Sequence, residues 1–323
     1  MTTVRVTPVL FRARLLRLEN VKRRVGAQAP EDAASIVAET HVRTVDVGAA
    51  AKPRPRSEWV LHAVRPLTDR LVAVLGRRGV DPHAIVLTHT GVGLGAAALV
   101  AWGPQGWLWA AVLLQVKTLL DNLDGGVARA TGRVTQLGRY LDSVLDAVVN
   151  LVLFAALALH GPGAWAWPLA ALAAVALMLI LSLDFNLERR YTALRSPSEG
   201  GGAREPPIGG PQRVFDLFRG VYAALFAPQD RALERLDDWL FQRLYGAPAA
   251  RAGLDVRLAW SDLFSTASLV NLGLSTQYVA LGLCLVLGVP FAYVYFVLAA
   301  FGYVLVVQAI RAARFVRYLA VSA

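Results

Sequence analysis

Hydrophobic positions in this chain fall in long unbroken runs rather than in alternation. Residues 84–116 contain no Lys, Arg, Asp or Glu, and neither do residues 264–310. An uncharged apolar stretch of about 20 residues has the length of a bilayer-spanning helix. The pattern predicts six spans, near residues 84–102, 105–121, 137–160, 163–184, 264–288 and 290–310. Ahead of them, residues 57–79 place Trp59, Val60, Val64, Leu67, Leu71 and Leu75 roughly on one side of a helix. Such a stretch predicts an amphipathic helix lying on the membrane surface. Residues 1–56 are polar and basic and run into the linker AAAKPRPRS, with an amphipathic helix expected over residues 10–24. Residues 185–262 interrupt the apolar pattern. Their Gly/Pro-rich stretch 196–211 predicts a flexible linker, and RVFDLFRGVYAALF and DRALERLDDWLFQRLYG then repeat apolar residues at helical spacing.

The expected fold is therefore an all-α integral membrane protein: six transmembrane helices, an N-terminal amphipathic juxtamembrane helix and a cytoplasmic helical insertion. Its parts are an extension over 1–56, the juxtamembrane helix 57–79, spans one to four over 80–184, the insertion 185–262, and the last two spans with a basic end over 263–323. Composition agrees. Hydrophobic residues make up 56% of the chain and mean hydropathy is +0.47, while charged residues reach only 17% against about 25% in soluble domains. The turns at 103–106, 161–168 and 288–290 carry no Lys or Arg, whereas Arg77, Arg78, Lys117, Arg129, Arg133, Arg139, Arg189, Arg190, Arg257, Arg311, Arg314 and Arg317 mark the opposite ends. By the positive-inside rule both termini are cytoplasmic, in the cell (inner or plasma) membrane. Trp102, Trp107, Trp109, Trp165 and Trp167 gather at the bare turns, as an interfacial aromatic belt does.

The net charge of +10 and pI near 10.2 would suggest nucleic acid in a soluble protein. Here the basic residues flank spans, where they set topology and attract anionic lipid headgroups, so no nucleic-acid partner is expected. The N-terminus is too charged for a signal-peptide core. The single cysteine, Cys284, lies in an apolar run and forms no intrachain disulfide.

Candidate chemistry concentrates between the second and third spans. Asp121 and Asp124 are three apart and share one helix face; Gly138, Asp142 and Asp146 are four apart and share another. Two antiparallel helices joined by a short elbow would turn these faces toward each other. Four converging carboxylates repel and need a compensating cation. A hard divalent ion with oxygen ligands, Mg²⁺ or Mn²⁺, is the natural one. Gly125 and Gly138 bring bare backbone near the pocket, and Arg129 is placed to meet phosphate oxygens. Singly, each part has a plainer explanation: an Asp as a hydrogen-bond partner, Gly138 as a helix-packing contact, Arg129 as a topology signal. Together in one register they favour a site.

The segment Asp121-Asn-Leu-Asp124-Gly125-Gly-Val-Ala128-Arg129, eight residues, then Gly138-x3-Asp142-x3-Asp146 resembles the signature of the CDP-alcohol phosphatidyltransferase family. Val80-Asp-Pro82-His83-x4-Thr88 is similar to the region opening that family's first span, with His83 where Asn is usual. The resemblance covers roughly 80–185 and 264–315. It implies that Asp121, Asp124 and Asp142 ligate a pair of metal ions, with Asp146 a further ligand and the general base. Gly125, Ala128, Arg129 and Gly138 would line the CDP pocket. The donor would be a CDP-linked lipid such as CDP-diacylglycerol, its pyrophosphate bridging the metals. The acceptor would be a small polar alcohol: a phosphorylated polyol such as inositol phosphate or glycerol phosphate, or serine. The product would be a phospholipid, with CMP released. A homodimer among membrane lipids is also implied.

Other residues say less. Lys117, four before Asp121, either pairs with it or neutralises charge at the helix end. Arg133, Arg139, Arg189, Arg190 and Arg195 are candidates to hold an acceptor phosphate. His89 reads as a packed or hydrogen-bonded residue rather than a ligand. No Ser/His/Asp set, Walker loop or Cys/His zinc spacing stands out. A membrane-embedded Mg²⁺-dependent prenyltransferase would explain Asp121-x2-Asp124 but not the second cluster. A divalent-cation transporter would place its carboxylates near the midplane on broken helices, whereas these lie at span ends.

Overall fold

The computed structural model describes residues 58–195 and 205–322. The expected extension over 1–56, with its amphipathic helix, and the first part of the linker, 196–204, lie outside the described residues. All regular structure among the described residues is helical.

α1 (Trp59–Arg77) begins at Glu58. The Glu58 carboxylate accepts hydrogen bonds from the backbone N–H and hydroxyl of Thr276, at 3.3 and 3.4 Å, and the Trp59 N–H donates to Asn271 at 3.1 Å. Trp59 and Leu67 remain exposed, while the later half of α1 turns Val72 inward against Leu123 and Val127. α2 (Pro82–Trp102) starts with Pro at its first position and an Asp81 side chain accepting from the His83 N–H at 3.1 Å, a favoured N-terminus. Gly103, at φ +110°, reverses the chain directly into α3 (Pro104–Ala130). The turn is tight: a Cβ on Gly106 would lie 2.3 Å from the Leu99 carbonyl oxygen.

Thr131–Thr135 form the elbow to α4 (Gln136–Ala158), whose Thr135 Oγ1 caps the helix by accepting from the Gly138 N–H at 3.0 Å. α5 (Ala166–Arg195) follows and runs past the expected span end at 184 without a break. α6 (Gln212–Leu225) and α7 (Ala227–Tyr245) are the two helices expected in the insertion, and α8 (Leu254–Trp260) leads out of it. The run 264–288 is not one straight helix. It divides into α9 (Leu263–Leu269), a 3₁₀ turn (Val270–Leu272) and α10 (Leu274–Val286), with a bend of 42° between the stretch Leu254–Leu272 and α10. α11 (Ala292–Ser322) closes the fold.

The protein is an all-α integral membrane protein. α2, α4, α5 and α11 are long and apolar enough to cross a bilayer, and the bent α9–α10 pair makes a fifth candidate. α3 has 27 residues but is more polar, carrying Lys117, Asp121, Asp124 and Arg129. Its polarity is the site. The main core joins α2, α3, α4, α5, α10 and α11 through Ala96, Leu114, Leu153, Leu177, Leu281 and Val297. Many of its members are alanines, which let membrane helices approach closely.

The insertion is docked rather than loose where it is described. Gln136 and Leu137 donate backbone N–H groups to the Pro207 and Ile208 carbonyls at 2.9 and 3.0 Å. The end of the stretch read as flexible is thus strapped to the start of α4. Phe215 of α6 is buried beside Tyr140. Asp237 of α7 takes Arg190 and Arg311, each at 2.6 Å, and the Trp260 indole N–H at 3.1 Å.

Candidate active site

α2 packs against both α3 and α4, and the two carboxylate faces meet over it. Asp121 and Asp124 come from the last turns of α3, Asp142 and Asp146 from the first turns of α4. At the centre is His89 of α2, with no exposed surface. Its Nε2 lies 3.1 Å from Asp124 Oδ2, 3.6 Å from Asp142 Oδ1 and 4.0 Å from Asp121 Oδ1, and its Nδ1 is 3.9 Å from Asp146 Oδ1. Lys117 of α3 is equally buried; its Nζ is 2.6 Å from Asp146 Oδ1 and 3.8 Å from Asp121 Oδ1. Of the two readings of Lys117, the contact with Asp121 is present, but the closer partner is Asp146 on the other helix.

The surroundings of the four aspartates differ. Asp124 and Asp146 are buried, and Asp124 Oδ1 also accepts from the Gly125 N–H. Asp121 and Asp142 are partly open, with side chains 25% and 40% exposed. Yet Asp142 Oδ1 and His89 Nδ1 are buried atoms without a hydrogen-bond partner. One donor atom each from His89, Asp121, Asp142 and Asp146 lies within 4.8 Å of the others. Buried anionic oxygens with unused hydrogen-bonding capacity fit a divalent cation, because such groups are costly unless paired.

The residues expected around a nucleotide adjoin the aspartates along α3 and α4. Gly125 makes room for Arg129, four residues on: a Cβ there would stand 2.8 Å from the Arg129 guanidinium. Gly138 makes room for the Thr135 hydroxyl and the His83 ring, which a Cβ would approach to 3.0 and 3.3 Å. Those two side chains are themselves 3.0 Å apart. Ala128 is half-buried one position before Arg129.

Four of the five arginines considered for an acceptor phosphate have structural partners. Arg133 donates to the Gly79 and Val80 carbonyls, at 3.4 and 2.8 Å. Arg189 pairs with Glu234, Arg190 with Asp237 and Asp238, and Arg195 donates to the Leu258 carbonyl. Arg139 is exposed, one turn before Asp142, and forms no ion pair among the described residues.

The family model for CDP-alcohol phosphatidyltransferases matches residues 83–230, which contain this entire carboxylate centre. Over those residues the chain is similar to that family. It is 36% identical over 111 residues to a phosphatidylinositol phosphate synthase of Cutibacterium acnes, covering 33% of this chain and 50% of that one. It is 37% identical over 120 residues to a phosphatidylinositol phosphate synthase of Streptomyces avermitilis, covering 36% and 49%. An archaetidylinositol phosphate synthase of Pyrococcus horikoshii is 32% identical over 110 residues, or 33% of this chain and 57% of that one. The matches thus span about half the length of these relatives.

His89, the one histidine in the charge-free run 84–116, was expected to be packed or hydrogen-bonded, and it is buried and hydrogen-bonded to Asp124; its place among all four aspartates is what spacing along the chain did not show. Which face of α2 meets the acidic helices is set by packing, and the run itself shows almost no amphipathic bias.

Proposed function

We propose that this protein transfers a phosphatidyl-type group from a CDP-linked lipid, such as CDP-diacylglycerol, to an alcohol, and that the acceptor is an inositol phosphate. The observation that carries the reading is the convergence of Asp121, Asp124, Asp142 and Asp146 from two helices onto one buried spot within the family's matched segment. The names of the relatives favour the phosphorylated inositol over glycerol phosphate or serine. Exposed Arg139 beside Asp142 gives an acceptor phosphate a cationic partner.

Mg²⁺ or Mn²⁺ held by the four aspartates would supply neutralisation of the diphosphate and of the departing CMP. Gly125, Ala128, Arg129 and Gly138 bind and orient the nucleotide. Asp146 takes the proton of the acceptor hydroxyl. Its contacts to Lys117 and His89 are both made by Oδ1, which leaves Oδ2 for that proton. The acceptor oxygen forms a bond to the lipid-bearing phosphorus as the bond from that phosphorus to the CMP oxygen breaks. Both termini face the cytoplasm of the cell (inner or plasma) membrane in this reading, six helices span it, and the chain works as a homodimer.

The test is CMP release by the purified full chain with CDP-diacylglycerol and, in turn, inositol phosphate, glycerol phosphate, serine and inositol. Release with inositol phosphate alone is expected. Release with serine or glycerol phosphate instead overturns the acceptor, and no release with any alcohol overturns the activity.

A further inference from the structure

An imidazole buried inside an apolar helix has to find polar partners, because burying it without them is costly. His89 has no exposed surface, and acids from both α3 and α4 surround it. Three carboxylate oxygens face its Nε2: Asp124 Oδ2 at 3.1 Å, Asp142 Oδ1 at 3.6 Å and Asp121 Oδ1 at 4.0 Å. A ring nitrogen carries at most one proton, so as a donor it can serve only one of the three. Asp124 takes that bond, and Asp142 Oδ1 is left as a buried atom with no partner. Nδ1 is likewise buried without a partner, 3.9 Å from Asp146 Oδ1. One proton does not satisfy this arrangement, whereas one ion with several bonds does.

The spacing points the same way. Ligand atoms about 2.1 Å from an octahedral ion stand about 3.0 Å apart when adjacent and about 4.2 Å apart when opposite. All three distances from His89 Nε2 fall within that interval. We propose that His89 Nε2 is a ligand of the centre, sharing one ion of the implied pair with Asp121, Asp124 and Asp142, and that this nitrogen makes the centre favour Mn²⁺ over Mg²⁺. Ligation uses the Nε2 lone pair, so the ring proton is then held on Nδ1, on the side of Asp146. Ligating histidines commonly donate that second N–H to a carboxylate, which fixes the ring. Mg²⁺ is hard and gives up water reluctantly, whereas imidazole suits softer transition-metal ions. The inference rests on the functional reading above, keeps its four aspartates, and adds a ligand that the family resemblance does not imply.

Pulsed electron paramagnetic resonance on the full chain in lipid nanodiscs, loaded with Mn²⁺, tests it. Nitrogen bound directly to Mn²⁺ modulates the echo, and the modulation changes when the protein is made with ¹⁵N-histidine. The wild type is expected to show histidine nitrogen coupling, and His89→Gln to lose it while still binding ion through its aspartates. Competition with Mg²⁺ gives a second readout: the ratio of Mn²⁺ to Mg²⁺ affinity is expected to fall at least about tenfold in His89→Gln. Bound Mn²⁺ without histidine nitrogen coupling overturns the inference and leaves the functional reading intact, since His89 then only orients Asp124. Coupling that survives in His89→Gln also overturns it, by assigning the nitrogen to another histidine. An unchanged affinity ratio overturns the stated preference. If the wild type binds no Mn²⁺, the inference falls, and CMP release from CDP-diacylglycerol with Mg²⁺ decides separately whether the transfer reading stands. The wild-type ¹⁵N comparison needs no variant, so a His89→Gln that fails to fold still leaves the ligand statement tested.

Discussion

Asp121 and Asp146 contact the same ammonium yet sit in different settings. Asp121 is a quarter exposed and 3.8 Å from Lys117, whereas Asp146 is buried and 2.6 Å from it. A metal ligand mainly has to remain charged, while a general base must reach the attacking hydroxyl and accept its proton. Asp146→Asn preserves shape and removes the acceptor. It is expected to lower the single-turnover rate by about 10²–10⁴ with CDP affinity reduced far less. Asp121→Asn should instead weaken Mn²⁺ and CDP binding together. Both are measured at saturating divalent ion; near-wild-type turnover by Asp146→Asn would place the base on another residue. The acidic spacing alone placed these four side chains in two pairs, each on one helix face, since residues three or four apart share a face. It did not display His89 as their neighbour, nor the contact of Lys117 with Asp146, because those contacts cross between helices: from α2 to both acidic helices, and from α3 to α4.

At the scale of elements, the charge-free runs read directly as α2 and α11, and the acidic elbow as the end of α3 and start of α4. The 264–288 run failed as a single helix for a reason outside the run. Gly273 leaves the helical conformation, and the first turn of α10 is capped by Glu58, more than 200 residues away. A Cβ on Gly273 would stand 2.2 Å from Glu58 Oε1. No local pattern announces such a cap. The insertion is similar: helical periodicity displayed α6 and α7, but not that their acids would claim Arg190 and Arg311. Arg311 is 2% exposed, and its guanidinium lies over the Trp260 ring while Asp237 takes its Nη1. Removing one partner of a buried ion pair typically costs about 3–5 kcal/mol. Asp237→Ala should therefore release α7 from α5 and α11. Limited proteolysis in detergent is expected to cut within 226–262 much faster than in the wild type. Unchanged cutting would show that the aromatic cluster of Phe241, Trp260 and Phe315 holds the insertion without the ion pair.

For the whole molecule, the decisive asymmetry runs from one end of the bundle to the other. Trp102, Trp109, Trp165 and Trp167 are more than half exposed, and they sit at the α2–α3 and α4–α5 turns. The aspartates sit at the far ends of α3 and α4. Fourteen residues separate Trp107 from Asp121, or roughly 21 Å at the α-helical rise, so the carboxylates lie well away from the tryptophan-bearing turns. Amphiphilic rings prefer the headgroup level and basic residues prefer the cytoplasmic side. The proposed orientation, with the α4–α5 turn outside and the insertion inside, follows both preferences. That orientation suits the proposed chemistry, since lipid tails stay in the bilayer while nucleotide and inositol phosphate arrive from the cytoplasm. On a Cys284→Ser background, a cysteine at Gly163 should react with a membrane-impermeant maleimide added to intact cells. A cysteine at Gly220, on exposed backbone of α6 with open space around it, should react only after the membrane is opened. The reverse pattern would put the aspartates on the wrong side for cytoplasmic substrates. It would end the proposed reaction as written even if every distance within the site were correct.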